Sequence, residues 1–125
     1  MILDTNALSA VAEIESEALK AVADADRIFV PVIVLGEYRL GIAQSPHHAA
    51  YEKWLQDFLP DVLVLDVDEA TTRSYAQVGL ELKKKGKPIP ANDLWIAALC
   101  RQHSLPILTR DHHFDLVEGL ERLDF

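Results

Sequence analysis

The chain has 125 residues, half of them apolar, and its 20 acids outnumber its 12 bases for a formal charge of −8. That length and composition make one domain, expected over residues 1–125, with a core that needs no disulfide. They exclude a disordered chain and a membrane span, since no apolar run approaches the ~20 residues a span requires, and the acidity argues against a general polyanion binder.

The first apolar run, Ile2-Leu3, is predicted as a strand, and it is followed directly by Asp4. The opening residues lack the basic and long apolar segments of a signal peptide, so the expected location is the cytoplasm. Ile28-Phe29-Val30 is the second predicted strand. Glu37 lies beyond it in the first turns of a helix, between Val34, Leu35 and Leu40. Tyr51, Trp54, Leu55 and Phe58 recur at helical spacing and place an apolar stripe on one face. Val62-Leu63-Val64-Leu65 is predicted as a third buried strand. Tyr75, Val78 and Leu82 mark a helix from about Glu69 to Lys85, closed by Gly86, with Pro88 and Pro90 keeping the next segment extended. Asn92 is the expected N-cap of a helix from Asp93 to Gln102. Within it lies the single cysteine, Cys100, in an apolar stretch that predicts a buried thiol. Pro106-Ile107-Leu108 is the fourth strand, followed by Thr109-Arg110-Asp111, and Leu120 to Leu123 is a weaker fifth.

Strands alternating with helices predict a three-layer α/β/α architecture, a mainly parallel sheet of four to five strands flanked by helices. Function in such sheets gathers beyond the carboxyl ends of the strands. Asp4, Glu37, Asp93 and Asp111 all fall at that edge. Singly, each has an ordinary structural explanation as a turn, cap or dipole residue. Together they would repel one another, and some would take up protons at neutral pH unless a cation neutralised them. A set of hard oxygen ligands without cysteine or clustered histidine favours Mg²⁺ or Mn²⁺ over zinc. One or two such ions suit phosphodiester hydrolysis.

These residues carry a resemblance. Ile2-Leu3-Asp4-Thr5-Asn6, Glu37-Tyr38-Arg39-Leu40-Gly41, Asn92-Asp93-Leu94-Trp95-Ile96-Ala97-Ala98 and Thr109-Arg110-Asp111-His112-His113-Phe114 stand in the order of the PIN-domain motifs. The chain is similar, along its whole length, to the VapC-type ribonuclease toxins of VapBC toxin–antitoxin modules. The resemblance implies a Mg²⁺- or Mn²⁺-dependent endoribonuclease. Asp4, Glu37, Asp93 and Asp111 would be its metal ligands, Asp115 a candidate outer ligand, and Asn6 and Thr109 supporting residues. It also implies an RNA substrate, a cognate antitoxin and a homodimer formed through the region from Val32 to Leu59.

Basic residues concentrate late in the chain. Residues 73–110 hold seven bases against two acids. Arg39 and Arg110, beside the acids, and Lys84 and Lys87, in the lysine run, are the candidate contacts to RNA phosphates. The five histidines show no ligand spacing and are expected to be neutral surface groups. Three other functions compete. A phosphatase with a nucleophilic aspartate needs a second acid two residues beyond Asp4, where Asn6 stands. A phosphorylated receiver would use Asp66 as acceptor. A non-catalytic PIN-fold binding module would not need all four acids.

Overall fold

The computed structural model describes all 125 residues. Five parallel strands form one sheet in the order β3-β2-β1-β4-β5. They are β1 (Ile2–Leu3), β2 (Phe29–Pro31), β3 (Leu63–Leu65), β4 (Ile107–Leu108) and β5 (Arg122–Leu123). Helices α1 (Thr5–Ala12) and α2 (Ser16–Asp24) connect β1 to β2, and α3 (Val32–Ala43) and α4 (His48–Phe58) connect β2 to β3. Helices α5 (Glu69–Lys84) and α6 (Ala91–His103) return the chain from β3 to β4. The first two connections step one way across the sheet and the third steps back. With right-handed crossovers this places α1–α4 on one face and α5–α6 on the other. The direction reverses between β1 and β4, whose pairing Ile2↔Ile107 and Leu3↔Leu108 sits at the centre. This is the switch point at which an open parallel sheet leaves a crevice beyond its strand ends.

The strands are short and their core positions are closed. Ile2, Leu3, Val30, Ile107 and Leu108 are buried, as are Leu8, Val34, Leu55, Val78, Ile96, Leu99 and Phe114 from the connections. Cys100 is buried too, and burial pushes its thiol up to about 12. One strand departs from expectation. Leu63 and Val64 are 50% and 43% exposed because β3 is an outer strand with a neighbour on one side only. Asp61 and Asp66 bracket it, the kind of charge that discourages pairing with another chain.

Local signals explain the helices that carry the site. Asp68 and Thr71 form a reciprocal capping box at the start of α5. At its end Gly86 adopts φ 69°, and Gly86 N–H and Lys87 N–H donate back to the carbonyls of Lys83 and Leu82. That left-handed turn is why glycine follows the lysine run. Helix α6 begins earlier than expected, at Ala91. Pro90 occupies the N-cap position and Asn92 lies inside the first turn without capping it. The proline fixes the φ of the residue that leads into the helix, and its carbonyl accepts the first helical bond, from the Leu94 N–H. Tyr75 stacks on Trp95 with ring centroids 3.9 Å apart, and a Cβ at Gly79 would come within 3.3 Å of the Leu94 side chain. This close packing of α5 on α6 fixes the height of the neighbouring Asp93.

Candidate active site

Asp4 follows β1 and caps α1, its Oδ1 accepting the Thr5 N–H at 2.8 Å. It is 5% exposed. Its Oδ2 accepts the Thr109 hydroxyl at 2.7 Å. Thr109, fully buried at the end of β4, is the hub of the crevice. Its oxygen also accepts Asn6 Nδ2 and the Asp111 N–H, each at 3.0 Å. Asn6 reaches across with its other end, Oδ1 accepting the Arg110 N–H at 3.1 Å. The two central strands are thus joined beyond their last ladder bonds by a small polar network centred on the Thr109 hydroxyl.

The other acids enter from three directions. Glu37, on α3, accepts the Thr5 hydroxyl at 3.0 Å. Asp111 caps a short 3₁₀ turn (His112–Leu116), its Oδ1 accepting the His113 N–H at 2.9 Å. Asp93, on the first turn of α6, lies with Oδ2 3.0 Å from His113 Nδ1, which is 3.2 Å from Asp111 Oδ1. Burial pushes the Asp4 carboxyl above its ordinary range. Its bonds to Thr109 and Thr5 oppose that shift, and the charges of Asp93 and Glu37 add to it. Burial likewise raises Asp93 against its bond to His113, with Asp111 adding to the rise. The Asp93 bond in turn holds the His113 imidazole above its usual value. The four expected acids are linked in a chain: Thr5 bonds both Asp4 and Glu37, the Thr109 hydroxyl bonds Asp4 and the Asp111 N–H, and His113 lies between Asp111 and Asp93.

The donor set suits a hard divalent cation. Ligand atoms of Asp93, Asp111 and His113 all lie within 4.8 Å of one another. The Asp93 carboxyl in this group and the neighbouring Asp4 are pushed toward protonation, a cost that a cation would remove. No cysteine belongs to the cluster, and the oxygen-rich set matches Mg²⁺ or Mn²⁺. Two residues escaped the sequence reading. His113 was expected to be a neutral surface group, but the fold turns it between two acids. Its place two residues beyond Asp111 was the available signal. Thr5, which holds Glu37, had only its position beside Asp4 to mark it.

The PIN domain family model matches residues 1–120. The chain belongs to the PIN domain family. It is 31% identical over 96 residues to ribonuclease VapC5 of Mycobacterium tuberculosis, covering 75% of this chain and 71% of that one. It is 33% identical over 121 residues to toxin FitB of Neisseria gonorrhoeae, covering 89% and 87% of the two chains. The crystal structure of FitAcB from Neisseria gonorrhoeae superposes with a TM-score of 0.85 at 28% identity, over 98% of this chain and 95% of that one.

Within this PIN domain the remaining candidates have other neighbours. Asp115 is outside the acid group: its Oδ1 accepts Arg122 Nε at 2.7 Å and its Oδ2 lies 2.9 Å from His112 Nδ1. Those two partners hold its carboxyl below the usual range. Arg39 is paired with Glu52 of α4 at 3.0 Å. Arg110 is paired with Glu15 at 2.6 Å and covers the Phe125 ring at 4.1 Å from its centroid. Lys84 and Lys87 are exposed at the end of α5. Their neighbour Lys85 donates to the Leu116 carbonyl, so the lysine run borders the segment after the 3₁₀ turn. Asp66 follows the outer strand β3, with β2 between it and β1, so it does not share a pocket with Asp4. No helix of the PIN domain is long and apolar enough to cross a membrane.

Proposed function

We propose that this PIN domain is a metal-dependent endoribonuclease and the toxin component of a toxin–antitoxin pair. Kinship to a VapC ribonuclease and to FitB supports the nuclease and toxin parts of the reading. The observation that supports the chemistry is the linkage of Asp4, Glu37, Asp111 and Asp93 through Thr5, Thr109 and His113 at the sheet's switch point, with Asp93, Asp111 and His113 closest together. Those four would hold Mg²⁺ or Mn²⁺, one ion or two. When bound, the cation supplies a water nucleophile of lowered pKa and neutralises charge developing on the phosphate. The chain's own groups prepare the site. Thr109 and Asn6 fix the Asp4 carboxylate through its Oδ2, and Thr5 fixes Glu37. His113 bridges Asp93 and Asp111 and, when protonated, offsets part of their charge.

The test is incubation of the purified protein with a mixed RNA pool in Mn²⁺, in Mg²⁺ and in excess chelator. Internal cleavage in either metal and none with chelator is expected. Cleavage that survives chelation overturns the metal reading, and no cleavage under any condition favours a binding module that does no chemistry.

The substrate's phosphates would be met by the exposed Lys84 and Lys87, and by Arg39 and Arg110, whose exposed pairs with Glu52 and Glu15 are weak enough to be exchanged for a phosphate. Replacing Lys84 and Lys87 together by glutamine should weaken RNA binding. It should flatten the plot of log affinity against log salt by roughly 0.7 per lost contact on a single strand. An unchanged slope removes both residues from the RNA path.

Two protein partners complete the reading: the antitoxin, and a second copy meeting this one through the Val32–Leu59 region. Helix α3 is apolar around most of its circumference, yet Leu40 is 67% exposed and a Cβ at Gly36 or Gly41 would meet nothing within 4 Å. An apolar helix with an uncovered face suits burial against another chain.

A further inference from the structure

Arg122 stands on β5, the edge strand beside β4, and its side chain is only 13% exposed. Its Nε donates to Asp115 Oδ1 at 2.7 Å, and its Nη1 donates to the backbone carbonyl of Thr109 at 3.0 Å. Nη1 also lies 3.5 Å from Asp124 Oδ2. One guanidinium therefore touches both walls of the acid crevice. One wall is the end of β4, where the Thr109 hydroxyl serves Asp4, Asn6 and Asp111. The other is the 3₁₀ turn that presents His113 to Asp93. Phe114, fully buried, anchors the middle of that turn. Beyond it Arg101 donates to the Glu118 carbonyl at 2.7 Å while paired with Glu81 at 2.8 Å.

We propose that Arg122, with Asp115 as its counter-charge, is a positioning residue of the nuclease site. It sets the spacing of Thr109 and the His112–Leu116 turn, and Asp115 serves this clamp and not the cation. The inference rests on the metal-dependent reading above and adds to it the part that aligns the ligands. Arginine fits because its rigid guanidinium donates from two separated nitrogens, Nε to a carboxylate and Nη1 to a carbonyl, a spread that the single nitrogen of a lysine does not span. Asp115 gives one oxygen to the largely buried Arg122 and holds the other 2.9 Å from His112 Nδ1, outside the group formed by Asp93, Asp111 and His113. Partners of this kind around metal ligands commonly matter about 10–100-fold in metal affinity.

The test uses Arg122→Ala, Arg122→Lys, Asp115→Ala and the double alanine variant. Mn²⁺ affinity is read by titration calorimetry and the turn by amide hydrogen exchange. Arg122→Ala and Asp115→Ala should each weaken Mn²⁺ binding by about 10–100-fold. The double variant should be no worse than Arg122→Ala, since removing Arg122 already breaks the contact that Asp115→Ala removes. Arg122→Lys should recover part of the affinity. The amides of Asp111 and His113 should exchange at least about tenfold faster in Arg122→Ala, while those of Ile96 and Leu99 stay protected. Asp115 is exposed, so its variant carries the test even if Arg122→Ala does not fold. If Asp115 were instead a ligand, Arg122→Ala would leave Mn²⁺ binding unchanged or tighter, and that result overturns the clamp. Unchanged exchange at Asp111 and His113 overturns it too, with or without metal. Wild-type protein that binds no Mn²⁺ refutes the metal-dependent reading and the clamp's service to it together. A clamp without metal would show only in the exchange rates.

Discussion

Asp93→Asn should slow RNA cleavage by more than ~10²-fold in Mn²⁺ while leaving the fold intact. The floor comes from comparison: removing a residue that merely supports a ligand costs about 10–100-fold, so removing a ligand costs more. Asparagine keeps the shape of Asp93 and can still accept from His113, but it gives up the charge that a divalent ion requires. The wild-type carboxyl is already pushed toward protonation by burial and by Asp111. Neutralising it relieves the metal-free protein, so the variant's melting temperature in chelator should equal or exceed that of wild type. Asp4→Asn should lose cleavage alike but gain no stability, because both Asp4 oxygens accept hydrogen bonds and an amide nitrogen at either would face a donor. Raising the Mn²⁺ concentration should restore part of the rate if the loss is one of metal affinity. Equal cleavage by wild type and both variants would dismiss the site altogether. Loss of activity with loss of fold would show that the carboxylates had been structural.

The second large effect is expected at Thr109. Valine has nearly the same shape but no hydroxyl, so Thr109→Val strands the Asp111 N–H and removes the best partners of Asp4 Oδ2 and Asn6 Nδ2. Unsatisfied polar groups in a buried site cost ~1–3 kcal/mol each, and more when charged. Partial compensation through the 3.4 Å contact of Asn6 with Asp4 brings the expected loss to about 3 kcal/mol. Thr109→Ser keeps the hydroxyl and should lose only the buried methyl, ~0.8 kcal/mol. The valine deficit should also depend on pH. The Thr109 bond favours ionised Asp4, so removing it lifts a carboxyl that already titrates high in the fold. A carboxyl raised in the folded state weakens the fold as pH climbs from its unfolded value through its folded one. Below the ordinary carboxylate range Asp4 is protonated in both states and this part of the deficit vanishes. Denaturant unfolding of both proteins in chelator, from pH 4 to pH 7, reads the difference. A deficit that shrinks toward neutrality would contradict the assigned role of the hydroxyl.

The acidity that argued against a polyanion substrate has a local explanation in this fold. Asp93 and Asp111 lie with His113 where a cation could neutralise them, Asp4 and Glu37 are joined to them through Thr5 and Thr109, and the lysine run at the end of α5 borders the turn that carries His113. Net charge describes the whole chain, whereas a substrate meets one edge of it.

The order of strands and helices, the parallel sheet and the four acids at strand ends were legible in the sequence. Each is announced by signals a few residues long: apolar runs, helical spacing, an acid after a strand, a glycine where a left-handed turn closes α5. Tertiary structure alone decided the rest. It placed Val62–Leu65 at the sheet's outer edge, where an apolar run identical in kind to the central ones is half exposed. It turned His113 between Asp93 and Asp111, and it brought Arg122 to both Asp115 and the carbonyl of Thr109. Strand order is set by crossovers that span the whole chain, and a side chain's partners are set by which elements those crossovers make neighbours. Composition and periodicity contain neither, so the candidate acids could be read from the sequence while the partners that hold them, Thr5, His113 and Arg122, could not.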